Sequence, residues 1–168
     1  MTDDDAGTGP GDAVSNPVAG PMEGQAVIRL DAIGTAVFVA VTVLAAVGEG
    51  DATDLVNLVV SGVLFLGGCA AFAVGFARAA GRSRTEIIDL AGLFYLTGSA
   101  PKEPRRLLLG LWFAQIVVAA ASVAVVQPPF GVMAPVWGIG LLTVWGARHG
   151  TFPPRPVEDR LGRRSAPQ

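Results

Sequence analysis

The chain of 168 residues has one cysteine, one histidine and one lysine. Cys69 alone cannot close an intrachain disulfide, so cysteine usage says nothing about redox compartment. One Cys with one His, His149, cannot build a zinc-type site without donors from another chain. Phosphate-binding loops, dinucleotide fingerprints and nucleophile elbows are missing as well. Glu86 and Asp89 come closest to a carboxylate pair, but no His or Lys accompanies them, and a solvated helix face explains them better. These absences predict a non-enzymatic protein without metal or cofactor.

Charge is absent in a patterned way. Residues 32–48, 55–77, 107–126 and 131–147 contain no Asp, Glu, Lys, Arg or His. The composition is 51% hydrophobic and the mean hydropathy is +0.52. About 20 residues at 1.5 Å rise cross a bilayer core of roughly 30 Å, so these runs read as spans. The expected fold is an all-α membrane protein with four transmembrane helices at about 28–47, 55–77, 107–126 and 131–147. They form one domain over 26–150, because too little polar sequence remains for a second. Residues 1–25 are acidic and rich in Gly and Pro, and bury too little surface to offset their ordering entropy; the expectation there is disorder. Their negative charge excludes a secretory signal, whose first segment is positive. Residues 151–168 form a basic, Pro-rich tail.

The twelve basic residues are concentrated. Arg78, Arg82, Arg84, Lys102, Arg105 and Arg106 lie between the second and third apolar runs, and five more follow residue 147. Arg29 lies at the start of the first span, and the other two connections carry no Lys or Arg. By the positive-inside rule, both termini and the central loop face the cytoplasm. The six loop residues are candidate contacts for anionic lipid headgroups or a protein partner, although fixing topology is a sufficient role for them. No basic domain or aromatic platform suggests nucleic acid. Within the loop, residues 85–96 place Ile87, Leu90, Ala91, Phe94 and Tyr95 at helical intervals, with Ser83 and Glu86 at capping-box spacing. Twelve helical residues cover about 18 Å, too short to cross, so a short amphipathic helix in the cytoplasmic interface is expected.

Few polar side chains interrupt the spans. Asp31 is the candidate transport carboxylate, with an interfacial position beside Arg29 as the simpler reading. Gln115 is expected to hydrogen-bond between helices. Pro135 either starts or kinks the fourth helix. Trp145 is expected at headgroup level. Asn57 and Ser61, one turn apart, read as capping or interhelical groups. Gly67, Ala71, Gly75 and Ala79 give the second span a smooth face for packing or self-association, and Ala32, Ala36 and Ala40 do the same for the first.

The stretches Pro128–Pro129–Phe130, Ala134–Pro135–Val136–Trp137 and Trp145 to Arg155 (WGARHGTFPPR) resemble small uncharacterised four-helix integral membrane proteins of actinobacteria. The resemblance implies residence in a bacterial plasma membrane and brings no activity with it. The leading functional expectation is an accessory or scaffold subunit of a larger membrane assembly. The alternative is a small homo-oligomeric transporter or channel.

Overall fold

The computed structural model describes residues 23–48, 50–126 and 129–155. The expected disordered segment 1–25 lies almost wholly outside them, as does most of the 151–168 tail. Four helices are long and apolar enough to cross a membrane. Helix α1 spans Glu23–Val47 and α2 spans Asp51–Arg82. A five-residue helix, α3, covers Leu90–Phe94, and α4 runs over Lys102–Val125. The fourth crossing is composite: a 3₁₀ turn at Phe130–Met133 leads into α5, Val136–His149.

Successive crossings alternate in direction. The start of α1, the end of α2, α3, the start of α4 and the end of α5 therefore lie at one end of the bundle, hereafter the basic end. All the basic residues placed near a helix terminus are there, whereas the opposite end carries Asp51 and Asp54 in the first turn of α2. Those carboxylates suit the positive end of that helix's dipole.

The outward surface is apolar. Ile33, Val63, Leu66 and Phe113 are each more than 60% exposed. In water such a surface would drive aggregation; against lipid tails it is the expected finish. Helix α5 is the exception, with 56% of its crossing buried against 22–33% for the other three. It forms the axis around which α1, α2 and α4 pack.

Glycine makes that central position possible. A Cβ on Gly68 of α2 would collide with the carbonyl of Val136, and one on Gly140 of α5 with the carbonyl of Gly68. At Gly75 a Cβ would lie 2.8 Å from the carbonyl carbon of Thr143. Helices α2 and α5 therefore touch backbone to backbone, the close approach that small residues permit in membranes. The contact face runs through Gly68, Gly75 and Ala79; of the expected stripe, Gly67 instead meets the Trp137 ring. This smooth face is consumed within the chain.

The central loop differs from expectation. Ser83 is not a helix N-cap: it ends α2, and its hydroxyl donates to the Ala80 carbonyl at 2.7 Å. Glu86 pairs with Arg82 at 2.7 Å instead of capping. Helix is confined to Leu90–Phe94, started by Asp89, whose carboxylate accepts from the Gly92 N–H at 3.1 Å. A twelve-residue helix does not form because residues 85–87 pair with the chain beyond α5. The Ile87 N–H donates to the Pro153 carbonyl and the Arg155 N–H to the Thr85 carbonyl, both at 2.9 Å. Arg78 and Arg82, read as loop residues, belong to the last turns of α2.

Leu96 closes α3 at φ 54°, a left-handed conformation normally given to glycine. The bond from the Thr97 N–H to the Ala91 carbonyl completes that turn. A bulky residue pays about 1–2 kcal/mol for this backbone, and the compensation is visible: Leu96 is fully buried with Leu108, Leu142 and Trp145.

Candidate functional site

Helix α1 presents Asp31, Gly34, Thr35, Phe38, Thr42 and Ala45 inward, a single face at spacings of three and four. Asp31 is completely buried, about 12 Å along the helix from its start. Gln115 is also buried, about 20 Å along α4. Its amide donates to the Asp31 Oδ1 at 3.0 Å and to the Thr35 hydroxyl at 2.7 Å. Its carbonyl oxygen accepts from the backbone N–H of Gly138 at 3.1 Å.

That last bond depends on the break before α5. Pro135 stands at the N-cap, so it starts the regular helix and does not kink it. Gly138 lies in the first turn, where backbone N–H groups have no intrahelical acceptor. Gln115 accepts one of these and passes donors onward to α1. The positive end of α5, the Gln115 amide and the Asp31 carboxyl are thus connected in series, with dipoles aligned toward the carboxyl. The neighbouring wall also fits tightly, because a Cβ on Gly138 would stand 2.8 Å from the Trp112 ring.

One atom at this junction is left over. The second carboxyl oxygen of Asp31, Oδ2, is buried and has no hydrogen-bond partner among the described residues. The Trp137 indole nitrogen is in the same condition and faces Gly34, three residues beyond Asp31. The simpler sequence reading of Asp31, an interfacial residue beside Arg29, is therefore replaced by burial between three helices. Gln115 takes the interhelical bonding role expected of it.

The six basic candidates divide. Arg82 is committed to the fold: it donates to the carbonyls of Ala147 at 2.8 Å and Gly150 at 2.9 Å, and its guanidinium lies 5.4 Å from the Phe152 ring centre. It thereby caps the negative end of α5. Arg105 donates to the Tyr95 carbonyl at 3.1 Å. Arg78, Lys102, Arg84 and Arg106 have exposed side chains at the basic end. Trp145, near the end of α5, is turned into the bundle and is only 3% exposed. The described residues contain no cluster of three or more His, Cys, Asp or Glu suited to a metal ion.

Thr35 and Gly138 were missed by sequence reasoning. The signal for Thr35 was available, because it lies one turn beyond Asp31, and polar side chains in an apolar helix mark the inward face. Comparison with known proteins adds no relative: no family model, curated protein or solved structure matches this chain.

Proposed function

We propose that this is a non-enzymatic multi-pass membrane protein working as a small proton-handling transporter or channel, with Asp31 as the proton-bearing group. The observation that carries this reading is the convergence of Asp31, Gln115 and the helix break at Pro135 on one buried junction. Ionisable groups inside a membrane are expensive and usually mark an ion pathway, and helix breaks at depth commonly present backbone groups to such sites. A proton fits better than a metal cation. The junction offers one uncommitted carboxyl oxygen, whereas a hard cation needs six or more oxygen ligands. The fully buried position describes an occluded state, so conduction requires movement at α1 or α5 or assembly of several copies.

In this reading the protein resides in a bacterial plasma membrane with both termini cytoplasmic, following the concentration of Arg and Lys at one end of the bundle. The segment around α3 lies along the cytoplasmic interface, where Ile87, Leu90 and Tyr95 point outward, 46–63% exposed. Anionic headgroups and a partner protein or further copies are the expected contacts of the exposed loop cations.

Reconstitution with an internal pH dye tests the reading directly. Wild-type vesicles should acidify under an imposed potential, and Asp31→Asn should lose the flux while retaining the Gln115 bond. Flux identical in wild type, Asp31→Asn and empty vesicles would eliminate it. One observation favours the accessory-subunit reading instead: Ala32, Ala36 and Ala40 all face outward and are exposed among the described residues. That reading predicts a stoichiometric partner in mild detergent, released by Ala36→Leu.

A further inference from the structure

At the basic end a cleft of about 600 Å³ opens between the first two turns of α1, the start of α4 and the last turn of α5. Its size lies in the range of ordinary small-molecule sites. Gln25, Arg29, Glu103 and His149 line its polar side, and Ile28 and Leu107 its apolar wall. The Trp145 ring forms part of the lining, and its indole N–H is buried without a partner among the described residues. That N–H faces Gly24, another lining residue, where an added Cβ would come within 3.0 Å of the nitrogen.

We infer that this cleft binds the headgroup of a zwitterionic phospholipid of the phosphoethanolamine type. The phosphate takes the exposed Arg29 guanidinium as donor, adjacent to the N-terminal end of the α4 dipole. The ammonium group takes the carboxylate of Glu103, which also lines the cleft and is exposed. Charges of both signs select against a purely anionic headgroup, which would meet Glu103 unpaired. An amphiphile is favoured over a soluble phosphate because Leu107 is 55% exposed and Leu30, beside Arg29, 47%. They continue the apolar wall onto the lipid-facing surface, where acyl chains would lie. This assignment is independent of the proton reading and concerns a different set of residues.

The test is native mass spectrometry of the delipidated full chain after exposure to mixed micelles with equal phosphatidylethanolamine, phosphatidylglycerol and phosphatidylcholine. One phosphatidylethanolamine per chain should be retained. Arg29→Gln, at an exposed position, should weaken retention about tenfold by removing one charge-assisted bond. Glu103→Gln, at an exposed position that leaves the core untouched, should shift preference toward phosphatidylglycerol. Equal retention of all three lipids, or a preference unmoved by Glu103→Gln, would overturn the assignment. Binding of inorganic phosphate or glycerophosphoethanolamine as tightly as the intact lipid would identify a soluble ligand and overturn it likewise.

Discussion

The bundle contains two sets of buried polar side chains that solve the same problem differently. At the junction of α1, α4 and α5, Gln115 uses both amide hydrogens and its carbonyl oxygen on partners from two other helices. Toward the opposite end, in the α1–α2 hairpin, Thr42 Oγ1, Asn57 Oδ1 and Ser61 Oγ are buried with no partner among the described residues. Unsatisfied buried groups cost about 1–3 kcal/mol each, whereas a typical satisfied hydrogen bond returns about 1 kcal/mol net. The junction holds three helices in register; the hairpin's polar groups hold nothing, and its packing must come from shape.

The contrast is best broken at Gln115. Gln115→Leu strips partners from Asp31, Thr35 and the Gly138 N–H at once. Stability should fall by about 2–4 kcal/mol, measured as the shift of the unfolding midpoint in mixed dodecylsulfate micelles. Combining it with Asp31→Leu should recover at least half of that loss, because removing donor and acceptor together leaves fewer orphaned groups. A double variant no more stable than Gln115→Leu alone would show that the two side chains are not energetically coupled.

The hairpin should respond in the opposite direction. Asn57→Leu is expected to be neutral or stabilising by up to about 1 kcal/mol, since it removes a buried amide oxygen that has no donor. Thr42→Val, near-isosteric, should change stability least, by about 0.5 kcal/mol or less and toward greater stability. A loss above about 1 kcal/mol in either variant would mean these groups are satisfied in the membrane and that the two clusters are alike.

Much of the architecture was legible from where charge is absent. The four apolar helices and the interhelical role of Gln115 follow from residue type and position, because lipid forces backbone satisfaction into helices and polar side chains inward, whereas at Pro135 the sequence leaves a start and a kink both open. The first helix shows what was misread. Ala32, Ala36 and Ala40 form a smooth face that looks outward, while the inside is defined by Asp31, Thr35 and Thr42. Asp31 was discounted for lying near the start of an apolar run, but the helix extends back to Glu23 and carries it deeper. The loop was legible only in part. Periodicity over 85–96 is a local signal, and it was overridden by pairing with residues 153–155, some 70 positions away, which no local pattern announces. The clamp of Arg82 on the end of α5 was hidden for the same reason, spanning 65 and 68 residues.

The central place of α5 has a consequence for biosynthesis. The membrane insertion machinery receives α1, α2 and α4 before the helix that all three surround. Until α5 emerges, the glycine face of α2 and the Asp31–Gln115 pair have no axis to close upon, so nascent chains arrested before residue 136 carry an unfinished polar seam facing lipid. Such chains present the kind of exposed intramembrane polarity that membrane quality-control proteases are suited to detect.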